Sequence, residues 1–346
     1  MLLKIFPYNK TLFWKDWKLT RLLFYLAAFL IFWDLPMNYF RLLNQIELEG
    51  LNNLWFERML LSPLLLGTGS QIFLIIVLPV AAAALLIGEE RRRKTLEFLK
   101  VSPYTIHEIF FNKILVGLTV ILAPYLINGL IMIVMRLAIA DLAAGYQVMH
   151  VLNWFWMTMT LVIAFFSFSF LIGMVAGTTT VQVVLTGIFM IFPLGFLFLI
   201  ESNIIILSHY LGFDGYFSIL RHMENIAEYL VLPAYIDSYA FGRMNMINQG
   251  LILLSASLGM IAFSKILFDK NQMERNGEVL MFKQLETFFK AGVAFCTMLL
   301  MGMMFARVFT VLGQSTALEL VIGYIVGLGL GWFIPNYLIK VRRARV

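Results

Sequence analysis

The stretch LIGEERRRKTLEFLKVSPYTIHEIFFNK, Leu86 to Lys113, decides how this chain is read, because it interrupts an otherwise apolar sequence. Two acids and four consecutive bases follow directly on an apolar run. A Ser-Pro pair and a second amphipathic run then lead into the next apolar stretch. Glu89 to Lys100 carries eight charges. At about 2.5 to 3.5 kcal/mol for each charge at a bilayer centre, embedding it would cost on the order of 20 kcal/mol or more. The segment is therefore expected in water, between two spans.

The rest of the chain supplies those spans. Of its 346 residues, 61% are hydrophobic and 13% charged, and the mean hydropathy is +0.86. One soluble core of this length has no room for so much apolar surface. Apolar runs near the length that crosses about 30 Å of hydrocarbon recur, without the alternation of an outer-membrane barrel. The expected fold is an all-α polytopic membrane protein with eight spans: 19–37, 70–88, 113–138, 154–176, 183–201, 246–267, 290–309 and 317–339. The first has an unbroken apolar core of only Leu22 to Trp33, with Trp17 and Trp33 placed to mark the interfaces.

Charge sets the orientation. With the N-terminus inside, 20 of the 26 Lys and Arg residues fall on the inner side, leaving Arg41, Arg58, Arg136, Arg221, Arg243 and Arg307 outside. The positive-inside rule then places both termini in the cytoplasm. Bases clustered beside apolar spans set topology, so the net charge of +6 does not call for a nucleic-acid partner. The basic start followed by LLFYLAAFLIFW reads as an uncleaved signal anchor, since no A-x-A-like site follows. Residues 1–18 are expected as a cytoplasmic amphipathic segment, with Phe13, Trp14 and Trp17 forming the lipid-facing side of a short helix on the inner leaflet and Lys15 and Asp16 pointing elsewhere. The outer segment 202–245 is too polar to span and too apolar for a free linker, which suggests folded or re-entrant helices.

Catalytic signatures are sparse. The phosphate-cradling pattern G-x-x-x-x-G-K-[ST] does not occur in the sequence. His107, His150, His209 and His222 lie in connecting segments without H-E-x-x-H spacing. A metal held by His209, Asp214, His222 and Glu224 is not expected, interfacial histidines being common. The single Cys296 reads as a packing residue. EERRRK, Glu89 to Lys94, approaches the E-E-x-x-x-R pattern of intramembrane proteases, but Lys94 replaces the final Arg, the stretch is too charged to be embedded, and His209 and His222 would lie across the membrane.

A carrier driven by an ion gradient needs an acid or a broken helix near the midplane. Asp34, Arg136, Glu201, Arg307 and Glu319 all fall near outer ends, which suggests that energy arrives from elsewhere. Glycine pairs such as Gly173/Gly177, Gly323/Gly327 and Gly327/Gly331 fit close helix packing. Pro79 in the second span and Met190, Pro193 and Gly195 in the fifth are candidates for the wall of a translocation path, because Pro frees backbone carbonyls and Met makes an adaptable apolar lining.

Within the opening stretch, Leu96 and Leu99 share a face with Thr95 and Arg92, while Phe98 points nearly opposite. Such mixed amphipathicity suits docking into a protein groove better than lying on lipid. Ser102-Pro103 breaks that helix, with Pro103 suited to a first helical turn. Thr105 and Glu108 offer a capping box. The helix that follows is expected to place Ile106, Ile109 and Phe110 together and Glu108 with Asn112 opposite, as a ramp along the interface into the third span.

At these residues the chain resembles a known family. A span ending in Gly88-Glu89-Glu90, then bases, TLEFL, SP, and Lys113 eleven residues after Ser102, is similar to the first cytoplasmic loop of ABC-2 type transporter permeases. MERNGEVLMF, Met273 to Phe282, followed by two further spans, resembles permeases of Gram-positive bacterial exporters in that family. Lys94 departs from the pattern, which often has Gly before the Thr.

The resemblance implies a six-helix permease core over 19–267, with its coupling loop at 89–112, and residues 268–346 as a linker, two additional spans and a basic tail. It implies that Glu89, Arg92, Thr95, Leu96, Leu99, Ser102 and Pro103 form or brace a coupling helix that docks on a separate cytoplasmic ATPase. That subunit would bind ATP and Mg, leaving no catalytic residue, metal or cofactor in this chain. It further implies pairing with a second identical or homologous permease, in the lipid of a bacterial plasma membrane. The cargo would be hydrophobic or amphipathic: a drug, an antimicrobial peptide or a lipid-like molecule. Neutralising Arg91 and Arg92 is expected to matter less for coupling, since neighbouring bases would still hold the loop inside. The alternative functions are an ion-gradient-driven carrier and, further off, an intramembrane protease.

Overall fold

A membrane helix packs on most of its circumference only if few of its positions are left to lipid, and Val148–Val175 is the most buried of the membrane-length helices among the described residues, with Met149 and Leu152 exposed near its start. Val151, Trp154, Met157, Leu161, Phe165, Phe166, Phe170 and Met174 are all buried, together with the small polar Thr158, Thr160, Ser167 and Ser169. The fold is built round this helix. The computed structural model describes residues 8–49, 64, 69–93, 95, 102–140, 142, 146–212, 216–236, 245–270, 283–311 and 317–343.

Among these residues every regular element is a helix: α1 Lys10–Asp34, α2 Pro36–Glu49, α3 Gly69–Ala83, α4 Ile106–Ala138, α5 Val148–Val175, α6 Thr179–Leu211, α7 Tyr216–Leu230, α8 Met246–Asp269, α9 Lys283–Val311 and α10 Ala317–Arg343. Helix α3 continues through a π-helical turn, Ala84–Glu89, into a last α-turn, Glu90–Arg92. Among the described residues eight helices are long and apolar enough to cross a membrane, matching the eight expected spans. Outward side chains such as Leu22, Phe29, Leu137, Leu258 and Phe333 are exposed and apolar, as the hydrocarbon region requires of a helix surface.

The chain packs as two units, Met1–Gly187 with Tyr235–Met281, and Ile188–Ala234 with Phe282–Val346. In the first, α5 contacts α3, α4 and α8, and α1 lies along α4. Close approach depends on glycines. A Cβ at Gly117 on α4 would overlap the Phe166 ring, and one at Gly250 on α8 would overlap the indole of Trp156. In the second unit α9 and α10 pack side by side. A Cβ at Gly323 would stand 2.7 Å from the Met301 carbonyl oxygen, and Thr297 Oγ1 lies 2.9 Å from the carbonyl oxygen of Gly327. The Gly323/Gly327/Gly331 spacing thus marks a helix contact. Asn203 of α6 joins this unit, donating to the Leu299 carbonyl at 3.1 Å and accepting from Tyr324 Oη at 2.8 Å.

Four local expectations are corrected. The N-terminal amphipathic segment is not a separate short helix: α1 runs unbroken from Lys10, capped by Asn9 accepting from the Thr11 N–H at 3.0 Å. Phe13 and Trp17 do stack, with ring centroids 6.4 Å apart. The third span is also not preceded by a separate ramp, because α4 is one helix of 33 residues, about 50 Å long at 1.5 Å per residue. Its capping box is present as read: Glu108 N–H donates to Thr105 Oγ1 at 3.2 Å and Thr105 N–H to Glu108 Oε2 at 2.8 Å. Pro103 consequently lies in the bend before the cap and not in the first turn. Ile109 and Phe110 are buried, but Ile106 is exposed and Asn112 buried. Asn112 turns inward because it accepts from the Asn9 N–H at 3.3 Å and donates to the Glu108 carbonyl at 2.8 Å. It ties the start of α1 to α4.

Candidate functional site

The expected coupling segment leaves the fold at the last turn of α3, and that turn is the most highly charged place in the described structure. Its side chains diverge because successive helical residues are rotated by about 100°. Glu89 turns back along the emerging chain, accepting from Arg92 Nη2 at 2.6 Å and Arg93 Nε at 2.7 Å. Arg92 and Arg93 are otherwise well exposed. Thr95 Oγ1 donates to the Glu90 carbonyl at 3.2 Å, so Thr95 reaches back to the turn.

Glu90 and Arg91 point into the protein instead. Glu90 is 4% exposed and sits between two lysines from different helices. Lys113 Nζ of α4 lies 2.5 Å from Glu90 Oε2, and Lys15 Nζ of α1 pairs with Glu90 Oε1. Asp16 of α1 completes the group, 2.9 Å from Lys15 Nζ and 3.7 Å from Lys113 Nζ. Two acids and two bases cancel formally. A buried ion costs several kcal/mol to desolvate and is held only where partners and hydrogen bonds compensate. The compensation here is complete for Lys113, which has no exposed surface and also donates to the Leu86 carbonyl at 3.0 Å.

Arg91, 3% exposed, meets no acid among the described residues. Its guanidinium donates to the carbonyl of Gly173 at 2.6 Å, to that of Ala176, and to that of Met174 at 3.4 Å. These carbonyls close α5, where the last turn of a helix lacks intrahelical donors and carries partial negative charge. Arg91 therefore caps the central helix in place of the missing N–H groups. Arg91 is thus more than one base in a charged cluster: its side chain is buried and holds the end of α5.

The other residues singled out in the sequence fall as follows. Ser102 and Pro103 lie in the bend that precedes the α4 cap. Leu96 and Leu99 lie outside the described residues, as does the Met273–Phe282 segment except for its neighbours. Pro79 is buried inside α3, five residues before the π-helical turn, and belongs to the first unit. Met190, buried, and Pro193 and Gly195, partly exposed, lie on α6 in the second unit. Of the four candidate metal ligands, Asp214 lies outside the described residues, His209 is on α6 and His222 and Glu224 are on α7, and His222 Nδ1 lies 2.7 Å from the Ser218 carbonyl oxygen. Among the described residues no group of three His, Cys, Asp or Glu side chains is placed to hold a metal ion.

The last turn of α3, from which the α3–α4 connection leaves, is fixed by polar contacts to three helices of a multi-span bundle. A family model described as ABC-2 family transporter protein matches residues 13–273. The chain belongs to the ABC-2 transporter family. No curated protein and no solved structure matches it. The match begins in α1 and runs past the end of α8, so it takes in every residue of the buried group and the α3–α4 connection of this ABC-2 chain.

Proposed function

We propose that this ABC-2 chain is the membrane-spanning permease of an ATP-binding-cassette exporter, with its α3–α4 connection serving as the docking element for a separate ATPase. One observation carries the reading most directly: the charged connection springs from a helix end tied at once to α1, α4 and α5. A push on that connection has somewhere to go. Both termini and the connection would lie in the cytoplasm, as the distribution of Lys and Arg argues, and the membrane would be the bacterial plasma membrane.

In this reading the permease pairs with a second identical or homologous copy above two ATPase subunits. Those subunits bind ATP and Mg, consistent with a sequence that carries no phosphate-cradling loop. Nucleotide-driven closure moves the docking elements, and the spans switch a central path between inward and outward access. Pro79 on α3 and, separately, Met190, Pro193 and Gly195 on α6 are proposed path-lining residues, because Pro frees backbone carbonyls and Met makes an adaptable apolar lining. The abundance of Phe and Met, 32 and 20 residues, suits a hydrophobic or amphipathic cargo such as a drug, an antimicrobial peptide or a lipid.

The test is purification of the tagged chain from its native membrane, with identification of bound proteins and assay of ATP hydrolysis. An ATPase subunit should accompany the chain, and the chain stripped of it should hydrolyse no ATP. Uptake driven by an ion gradient in vesicles holding the chain alone would replace this reading with that of a secondary carrier.

A further inference from the structure

Polar contacts at the end of α3 do more than close the bundle. The π-helical turn at Ala84–Glu89 inserts about one extra residue into the helix, which rotates everything after it by about 100° relative to an unbroken α-helix. Glu90 and Arg91 are the first residues past it. The turn is thus what aims Glu90 at α1 and α4 and Arg91 at the end of α5. It also disturbs the regular carbonyl pairing of the helix, and one carbonyl within it, that of Leu86, is met by Lys113 Nζ at 3.0 Å. Lys113 grips both the turn and the acid that follows.

A simple staple between helices would not need this chemistry. Apolar side chains of similar volume hold helices together as well as a buried ion pair or better, and this bundle has no shortage of them. Ion pairs and arginine-to-carbonyl bonds differ from apolar packing in being directional: they transmit a displacement along particular contacts. Each contact here leads to a different span. Lys15 belongs to α1, Lys113 to α4, and Gly173, Met174 and Ala176 to the end of α5. Glu89, one residue earlier, is bonded among the described residues to Arg92 and Arg93, where the connection emerges.

We propose that Glu90 and Arg91 are positioning residues that pass movement of the α3–α4 connection separately to α1 and α4, through Glu90, and to α5, through Arg91, with the π-helical turn as the hinge. This rests on the reading of the chain as an ATPase-driven permease. Glu90 has two arms, and they are separable. The Lys15 arm reaches α1 alone and involves a half-exposed side chain, whereas the Lys113 arm reaches α4 from a fully buried one.

The experiment uses the complex copurified from the native membrane and reconstituted in vesicles of phosphatidylethanolamine and phosphatidylglycerol. In a Cys296→Ser background, a single bimane-labelled cysteine replaces Trp33 on α1 or Leu137 on α4, both exposed side chains far from the charged group along their helices. Bimane emission is read with and without Mg-ATP and vanadate, beside the rate of ATP hydrolysis. Wild type should show a nucleotide-dependent shift at both positions. Glu90→Gln should lose both shifts while hydrolysis continues, and exchange of the pair, Glu90→Lys with Lys113→Glu, should restore the shift at Leu137. Lys15→Met, which leaves the buried pair in place, should lose the shift at Trp33 and keep that at Leu137.

Both shifts surviving in Glu90→Gln would overturn the proposal while leaving the permease reading intact. Should Glu90→Gln fail to insert, Lys15→Met decides: an unchanged shift at Trp33 overturns the proposal, and its selective loss supports it. If no ATPase copurifies, or wild type shows no nucleotide-dependent shift, the permease reading fails and the proposal fails with it.

Discussion

Lys113 Nζ stands 2.5 Å from Glu90 Oε2, and neither side chain has more than a trace of exposed surface. Replacing Lys113 with Met should leave Glu90 with Lys15 as its only base and take from Asp16 the more buried of its two. Breaking a buried pair from one side costs about 3 to 5 kcal/mol. A pronounced fall in the thermal midpoint of the detergent-solubilised protein is therefore expected. Adding Glu90→Gln to Lys113→Met should return part of the loss, because the uncompensated carboxylate is gone and the two effects are coupled. A Lys113→Met protein that unfolds with wild type would show that the pair carries no strain when broken.

Gly117 gives a second expectation, independent of charge. The Phe166 ring occupies the space that a Cβ at this position would need. Gly117→Val should separate α4 from α5 and destabilise the first unit by about 1 to 3 kcal/mol, the usual range for overpacking. Phe166→Leu in the same chain should recover much of that by vacating the space. Recovery is read as the midpoint of heat-induced loss of the monodisperse chromatographic peak; a double variant no better than Gly117→Val would mean that the α4–α5 contact is set elsewhere.

Much of this architecture is legible in the sequence, and the reasons differ by element. Spans are written in long apolar runs, so all eight appear with boundaries off by a few residues at most ends. The Thr105 capping box is legible because it is local, needing only a hydroxyl and an acid three residues apart. The charged stretch is legible as water-facing on average, but not residue by residue. Whether Glu90 or Glu89 turns inward depends on a π-helical turn that no composition signals, and on Lys15 and Lys113, 75 and 23 residues away. Two signals were available. Asp16 is the one acid before Asp34, set among bases at the head of a span, and Lys113 stands at the start of an apolar run that could have begun without it. Both are charges in places where isolation would be costly, which is itself a reason to look for partners.

Topology can be tested on its own. In a Cys296→Ser background, cysteines placed singly at Thr95, Asn276 and Ala344 should react with an impermeant maleimide only when the cytoplasmic side is open. Those at Asn52, Asp214 and Ser315 should react in intact cells. The expectation follows from the surplus of Lys and Arg on one side of the spans. Labelling of Asn276 in intact cells would reverse the orientation of the connection between α8 and α9 and with it the arrangement of the last two spans.

The charged connection returns as the last test. If Leu96 and Leu99 form the apolar face by which it docks on an ATPase, changing both to Asp puts two charges into a contact that excludes water, at a cost of at least a few kcal/mol for each that stays unpaired. ATPase should then dissociate from the purified complex, or remain with its hydrolysis no longer linked to transport. A connection that is merely solvated would tolerate both changes, since exposed substitutions away from special features alter stability by about 0.5 kcal/mol or less. Arg91 gives the opposite pattern. It lies in the protein, against the carbonyls that end α5, so Arg91→Lys should leave the ATPase bound yet loosen the fold, because a single ammonium cannot reproduce the fork that reaches three carbonyls. Pull-down of the ATPase and thermal stability, measured side by side on Leu96→Asp/Leu99→Asp and on Arg91→Lys, separate docking from positioning. Loss of docking with normal stability in the first and normal docking with lowered stability in the second is the expected pair of results; docking retained by the double Asp variant would move the ATPase contact away from this segment.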